Sequence, residues 1–303
     1  MAYLFLIEVQ VKSSKATAFI KATLATAFWG GSFVATKVAL REVSPVTVVW
    51  LRFAVGVAVL AAAVFIRRQF SLPRPKDLAF FGLLGLQGIT FHQWLQSTGL
   101  ETSGASTTAW IVATIPVFTA LLGWMILKEK FAWLKGLGIG LAAAGVLLVV
   151  SNGDLRSVFG SNFGAPGDIL ILISAPNWAI FSILSRRGLR DTPPAVMILY
   201  VLGFGWLFST VLLLAGPGFG EIARLSLGGW LGVAFLGVFC SGFAYIFWYD
   251  ALAVLPASQV GAFVYLEPLV TVVVAAVILA EPVLWSSIAG GVVILSGVWL
   301  VQK

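Results

Sequence analysis

Charged residues are scarce in this sequence. Asp, Glu, Lys and Arg make up 10% of its 303 residues, against roughly 25% in typical soluble proteins. Hydrophobic residues make up 60%, and they fall in uninterrupted runs rather than in amphipathic stripes. A soluble fold could not cover so much apolar surface, so the surrounding solvent must be lipid. The composition therefore predicts an integral membrane protein.

Histidine and cysteine are nearly absent, with one of each, His92 and Cys240. A metalloenzyme needs clustered ligands, and an intramembrane serine protease needs a serine and a base in register. Neither pattern is present, so an intramembrane enzyme is disfavoured and no metal or cofactor is expected. A single cysteine also excludes an internal disulfide.

The alternation of polar and apolar residues that marks barrel strands is missing as well. Such strands alternate over about ten positions, whereas Leu137–Val150 is apolar or glycine throughout. The fold class is therefore predicted as all-α. The net charge of +7 comes without Lys/Arg clusters interleaved with aromatic residues, so no nucleic-acid partner is expected.

Ten segments have about the length that spans a bilayer. They are Thr17–Leu40, Val46–Ile66, Asp77–Ser97, Ser103–Leu127, Phe131–Val150, Gly167–Ser185, Ala195–Ala215, Gly228–Ala251, Ala257–Leu279 and Leu284–Val301. The longest connector, Ser151–Pro166, divides them into two sets of five, over residues 17–150 and 167–301. Met1–Ala16 is interpreted as a short cytoplasmic lead-in, since its lysines follow its apolar residues, the reverse of a signal peptide.

The two sets repeat each other. At an offset of 152 residues, Pro116 corresponds to Pro268 and Glu129 to Glu281; at an offset of 149 residues in the earlier segments, Trp29 corresponds to Trp178. Because five is odd, the second set must cross the membrane upside down relative to the first. Inverted repeats of this kind are typical of transporters whose site lies near the midplane, between the halves.

Orientation follows from the basic residues near the segment ends. Of the 19 Lys and Arg residues, 14 fall on the side of the N-terminus. Both termini are therefore predicted to be cytoplasmic. No obligate protein partner is implied, and a monomer in the lipid bilayer is compatible with the sequence.

The sequence resembles the EamA branch of the drug/metabolite transporter superfamily. The resemblance rests on F-W-G-G-S-F-V-A-T-K-V-A-L (28–40), the Pro45 to Arg52-Phe53 run, T-I-P-V-F-T-A-L-L-G-W (114–124), Glu267-Pro268 and G-G-V-V-I-L-S-G-V (290–298). It covers about residues 17–150 and 167–301. It implies a ten-helix exporter in the bacterial inner membrane with a central cavity, for amino acids, metabolites or drugs.

The third segment is the most polar and supplies three candidate binding residues, His92, Gln93 and Gln96. Polar groups in a membrane need a partner, a cavity or water. They are expected either to hydrogen-bond between helices or to line the substrate cavity.

Aromatic residues and one amide lie too deep in their segments for an interfacial belt. Trp110, Asn177 and Trp178 are therefore candidate substrate-binding residues, as are Tyr245 and Trp248, which align with Gln93 and Gln96 in the repeat. They suit amphipathic or aromatic solutes, bound by stacking and a few hydrogen bonds. Packed core is the alternative for the tryptophans.

Glu267 is the only carboxylate well inside a segment. It is either a buried acid bonded to the backbone beside Pro268, or a counter-charge or proton carrier. Pro116, Pro176 and Pro268 are predicted to kink their helices, and Glu129 and Glu281 to cap helices.

The leading function is export of small amphipathic metabolites, amino acids and particularly aromatic ones among them, by alternating access. A drug or organic-cation exporter driven by proton antiport is the alternative, and a channel lacks a repeated filter motif. A phosphorylated-sugar carrier is disfavoured, because Ala195–Val301 holds only Arg224 to meet a phosphate.

Overall fold

The computed structural model describes residues 2–127, 133–156, 164–189, 192–216, 218–255 and 257–302. Within these ranges the protein is helical and contains no strand. The helices of the first half are α1 (Ala2–Leu40), α2 (Pro45–Ile66), α3 (Pro75–Leu84), a π-helix (Gly85–Phe91), α4 (His92–Thr102), α5 (Ala105–Val112), α6 (Ile115–Leu127) and α7 (Trp133–Val150).

The second half repeats this order. Its helices are α8 (Pro166–Gly188), α9 (Pro194–Ala215), a 3₁₀ helix (Gly218–Arg224), α10 (Leu227–Ala234), a second π-helix (Phe235–Phe243), α11 (Ala244–Leu252), α12 (Ala257–Ala262), a 3₁₀ turn (Phe263–Tyr265), α13 (Leu266–Ile278) and α14 (Trp285–Val301).

The predicted all-α membrane class is confirmed. Eight helical stretches of the described chain are long and apolar enough to cross a membrane. The polar third segment is helical over 75–102, and the last, Trp285–Val301, is a shorter apolar helix. The count of ten crossings stays a prediction. Helix α1 begins earlier than predicted, so the backbone of the lead-in continues the first segment.

The third and eighth segments are interrupted at corresponding places by the two π-helices. A π-helix adds a residue to a turn, and such bulges are frequent at functional sites. The fourth and ninth segments are also interrupted at corresponding places, after Val112 and Ala262. Both halves thus have broken helices near their middle, as transporter halves often do.

Glycines set the contact between α7 and α14, the last helices of the two halves. A methyl group at Gly138 would lie 2.6 Å from the carbonyl oxygen of Gly297, and one at Gly145 would lie 2.7 Å from that of Gly290. The numbers rise along one helix and fall along the other, so the helices are antiparallel. Since Gly138 corresponds to Gly290 and Gly145 to Gly297 at the offset of 152, equivalent helices run in opposite directions, as an inverted repeat requires.

The two halves also contact each other in the interior. A methyl group at Gly56 of α2 would lie 2.5 Å from Cβ of Ser241 in the second π-helix, and one at Gly205 of α9 would lie 2.5 Å from Cβ of Ile89 in the first. The second helix of each half therefore packs on the π-helix of the other. Lipid-facing side chains are apolar and strongly exposed, such as Val277 at 79%.

Candidate functional site

Arg52, on α2, is the cation of the bundle interior. Its side chain is buried and lies about 10 Å along the helix from Pro45. Its Nε donates to Oγ of Ser241 at 2.9 Å, and its Nη1 donates to Oε1 of Gln93 at 2.8 Å. The guanidinium thus joins three segments, two from the first half and one from the second.

Trp29, on α1, forms an aromatic cluster with two predicted site residues of α11. Its ring centroid lies 5.6 Å from that of Tyr245 and 5.2 Å from that of Trp248. Its Nε1 donates to the backbone carbonyl of Cys240 at 3.1 Å, which fixes the indole against the second π-helix. Tyr245 lies four residues after Ser241, which accepts from Arg52, so this cluster borders the cation.

A matching pair lies on the other side of Arg52. The buried imidazole of His92 packs against Trp178 of α8, with ring centroids 4.6 Å apart and ring planes tilted by 36°, and His92 precedes Gln93, which accepts from Arg52. Nδ1 of His92 has no hydrogen-bond partner among the described residues. The structure therefore brings together five of the predicted binding residues, Gln93, His92, Trp178, Tyr245 and Trp248, around an arginine.

Asn177 and Gln96 have different surroundings. Gln87 of the first π-helix donates to the side-chain oxygen of Asn177 at 2.8 Å and to its backbone carbonyl at 2.7 Å, and Asn177 donates back to the carbonyl of Gln87 at 3.1 Å. This reciprocal pair ties α8 to the π-helix, which is the interhelical bonding foreseen as an alternative. Gln96 is buried on α4, one turn from His92.

Trp110 is not part of this group. It is buried in an apolar cluster with residues of α7 and α14, and its ring occupies the space that a methyl group at Gly291 would need. The packing alternative describes Trp110 better than a place beside Arg52.

Glu267 lies in the first turn of α13, beside α1. Its backbone carbonyl lies 2.7 Å from where a Cβ at Gly30 would be, and it accepts from Oγ1 of Thr271 at 2.9 Å. No ion pair of Glu267 occurs within the described part of the chain.

The three prolines divide into two kinds. Pro116 is the second residue of α6 and Pro268 the third of α13, so each starts the second piece of a broken helix. There a proline is tolerated, because the first turn needs no N–H partner within the helix. Pro176 instead lies inside the continuous helix α8.

One end of the bundle, here called the near end, holds the ion cluster of Lys21, Arg67 and Asp250. Asp250 accepts from Nζ of Lys21 at 2.7 Å and from Nη1 of Arg67 at 2.8 Å. The hydrogen bonds that Arg67 donates to Asp250 raise the pKa of Arg67. A cavity of about 150 Å³ opens here, and its lining includes Arg67, Asp250 and Tyr245. The cavity therefore connects the near end with the aromatic cluster.

The opposite, far end is closed by carboxylates that hold helix starts. Glu281 accepts from the backbone N–H of Ala105 at 2.8 Å and of Ser106 at 3.2 Å. The predicted capping role is thus confirmed for Glu281, although the capped helix is α5 of the other half. Glu129 lies outside the described residues.

Two further carboxylates tie loops together at the far end. Hydrogen bonds from the side chain and backbone of Ser226 lower the pKa of Glu42. Burial pushes the pKa of Glu221 up, but hydrogen bonds from Ser44 and Thr47 outweigh it and leave that pKa lowered. Both groups are ionised at neutral pH.

Arg52, Ser241 and Trp29 were not among the predicted binding residues. The alignment of Trp29 with Trp178 carried a signal for Trp29, and Arg52 is the one basic residue well inside a segment. Ser241 had no signal in the sequence. The described residues hold no group of three His, Cys, Asp or Glu side chains that could bind a metal.

Comparison with known proteins agrees with this architecture. The model of the EamA-like transporter family matches residues 16–151 and again 165–302. An uncharacterized transporter of Archaeoglobus fulgidus is 30% identical over 272 residues, which cover 90% of this chain and 92% of that protein. A probable terminal-alkyne amino-acid exporter of Streptantibioticus cattleyicolor is 27% identical over 302 residues, covering 97% and 95%.

A solved crystal structure has the same fold, with a TM-score of 0.63 at 19% sequence identity over 94% of this chain and 98% of that one. The family model matches the chain twice, once in each half, and the two matches together cover nearly the whole chain. This agrees with two halves of similar fold. The chain is therefore a multi-pass membrane protein that belongs to the EamA-like transporter family and carries small molecules across a lipid bilayer.

Proposed function

We propose that this protein exports amino acids, aromatic ones favoured, by alternating access between two inverted five-helix units over residues 17–150 and 167–301. One observation carries the proposal: Trp29 and Trp178, which correspond in the repeat, each make a ring contact with the third segment of the opposite half. Each contact would change whenever the halves move relative to each other.

The chemistry of these contacts suits an amphipathic solute. Tryptophan, tyrosine and histidine rings offer faces on which an aromatic side chain stacks, and amides and hydroxyls fix its polar end. The similarity to a probable amino-acid exporter supports amino acids as cargo. The terminal-alkyne amino acid in its name applies to that relative alone.

The closed and open ends support alternating access. Glu281 and the loop carboxylates hold the far end together, whereas a cavity reaches Tyr245 from the near end. Broken helices at Pro116 and Pro268 give each half a flexible point at a corresponding place. This conformation is the one open toward the near end.

We assign the near end to the cytoplasm and the protein to the bacterial inner membrane. The near end carries Lys21 and Arg67 and most of the basic residues near segment ends, and basic residues are retained on the cytoplasmic side. Export then starts from the side to which the cavity opens.

Glu267 supports a second candidate, export of organic cations by proton antiport. An interior carboxylate without an ion pair among the described residues could hold either an ammonium group or a transported proton. Dependence of flux on a pH gradient separates this candidate from amino-acid exchange.

The test is transport by purified protein in liposomes, with labelled phenylalanine, tryptophan, leucine and an organic cation, each with and without a pH gradient. We expect aromatic amino acids to move fastest, at a rate that the pH gradient does not change. Trp178→Ala, His92→Ala and Tyr245→Ala should lower phenylalanine flux roughly tenfold, as loss of about 1–1.5 kcal/mol of aromatic contact implies.

Trp285→Ala is the matched control, because that indole is 83% exposed and lies at the start of α14. It should transport as the wild type does. Normal phenylalanine flux in all three site variants would refute the site, and flux of the cation alone would refute the amino-acid assignment.

A further inference from the structure

Arg52 is a buried cation without a carboxylate partner. Within the described ranges of the chain, the ion pairs join Lys21 or Arg67 to Asp250 and Arg74 to Asp77. Arg52 itself has two neutral acceptors, Ser241 and Gln93. An unpaired charge in a membrane protein's interior is costly and marks a functional position.

The hydrogen bonds of Arg52 leave part of its guanidinium for another acceptor. A guanidinium carries five N–H donors in a planar fork, and Ser241 and Gln93 accept from two of them. A carboxylate is the acceptor that this fork fits best, by two parallel hydrogen bonds. Ser241 and Gln93 hold the fork from two sides, so it is oriented before any ligand arrives.

The neighbours of Arg52 suit the rest of an amino acid. His92 precedes Gln93 and Tyr245 lies four residues after Ser241, the two acceptors of Arg52, and each ring contacts a tryptophan. The backbone of Glu267 lies against Gly30, the neighbour of Trp29 on α1. Aromatic rings thus border the guanidinium from both halves.

We propose that Arg52, held by Gln93 and Ser241, is the binding site for the carboxylate of the transported molecule. The inference deepens the proposed function and rests on it: the cargo must carry a free carboxylate, and amines that lack one are poor substrates. Aromatic side chains of the cargo then lie against the tryptophan pairs.

Three ligands that differ by one group test this on the wild-type protein. Phenylalanine has both charges, phenethylamine lacks the carboxylate and 3-phenylpropionate lacks the ammonium. In competition and thermal-shift measurements on purified protein, we expect phenethylamine to bind roughly 10- to 100-fold more weakly than phenylalanine. This is the affinity that the loss of a charge-assisted hydrogen-bonded pair removes. Equal binding of phenylalanine and phenethylamine would overturn the inference. So would the absence of binding by both phenylalanine and 3-phenylpropionate.

Variants then assign the effect to this residue. Arg52→Gln should weaken phenylalanine binding to the level of phenethylamine while leaving phenethylamine binding unchanged, and Arg52→Lys should fall between. Arg74→Gln is the matched control, because it removes an arginine whose side chain is 52% exposed at the end of the bundle. If Arg52→Gln does not fold, Ser241→Ala, which removes the acceptor of Nε, should weaken phenylalanine binding several-fold.

The two proposals fail in different ways. Binding of 3-phenylpropionate that depends on Arg52, without flux of any amino acid, would refute amino-acid export and keep the carboxylate site. Phenylalanine flux with an unchanged KM in Arg52→Gln would keep the exporter and refute the carboxylate site.

Discussion

Gly56→Ala is expected to damage the carboxylate site through packing alone. The added methyl group would lie 2.5 Å from Cβ of Ser241, whereas carbon atoms in contact are about 3.5–4.0 Å apart. The second π-helix must therefore move by about 1 Å. Such a shift would stretch the 2.9 Å bond from Arg52 to Ser241 beyond the range of a hydrogen bond.

The repeat supplies the matched control. A methyl group at Gly205 would lie 2.5 Å from Cβ of Ile89, the residue that corresponds to Ser241 in the other half. The clash is at least as severe, because Cγ2 of Ile89 would also lie at 2.4 Å, but Ile89 bonds to no cation. Gly203→Ala, with no atom within 4 Å of the new methyl group, controls for the substitution itself.

The expected cost is about 1–3 kcal/mol for overpacking, reduced by up to about 1 kcal/mol because alanine favours the helix over glycine. Gly56→Ala and Gly205→Ala should therefore have melting temperatures a few degrees below that of Gly203→Ala in detergent, by similar amounts. In liposomes, Gly56→Ala should raise the KM for phenylalanine several-fold, and Gly205→Ala should not. An equal rise in both would show that Ser241 plays no special part.

Three further predictions concern stability. Gly297→Ala should lower the melting temperature in detergent, because its methyl group would lie 2.5 Å from the carbonyl oxygen of Gly138, whereas Gly140→Ala, with open space around it, should not. Glu281→Gln should cost about 1 kcal/mol, typical of a lost helix cap, seen as a lower melting temperature; an unchanged value would contradict a closing role. The pKa of Glu221 is lowered on folding, so its contribution is present above about pH 4.5 and is lost as the pH falls through the folded-state value. The melting temperature of Glu221→Gln should therefore approach that of the wild type in acid, and a constant difference would exclude this linkage.

Much of the fold could be predicted because lipid imposes simple rules. The lengths of the apolar runs predicted the segments, and the turn-forming residues between them predicted segment ends that differ little from the helix ends in the structure. Val46–Ile66 was predicted where α2 covers Pro45–Ile66, and Ala195–Ala215 where α9 covers Pro194–Ala215. The interruptions of the fourth and ninth segments follow from prolines at corresponding positions.

The π-helices could not be predicted. A π-helix differs from an α-helix by one residue per turn, and no residue type demands it. Close contacts between the halves, Gly56 on Ser241 and Gly205 on Ile89, lie at these π-helices, and a local sequence pattern does not contain them.

The site was predicted in its residue types and only partly in its arrangement. Depth in the membrane indicated that Trp110 and Trp178 are buried, but not that one faces Gly291 and the other His92. Anionic cargo was disfavoured because Ala195–Val301 holds only Arg224. Arg52 lies outside that range, in the first half. Its partners come from the third and eighth segments, which only the folded structure places beside α2.

The symmetry of the scaffold ends at the residues that would bind the substrate. Glycines and tryptophans recur at corresponding positions, as Gly56 with Gly205 and Trp29 with Trp178. Arg52 instead corresponds to Val201, and its acceptor Ser241 corresponds to Ile89.

This division has a physical reason. Matched packing gives the two halves nearly equivalent arrangements that can exchange, which alternating access requires. A binding site for a molecule with unlike ends cannot itself be two-fold symmetric, so the polar groups must break the symmetry. We therefore expect substitutions at matched glycines other than Gly56, which packs on Ser241, to change the rate of exchange between conformations, and substitutions at Arg52, Gln93 and Ser241 to change which molecule is carried.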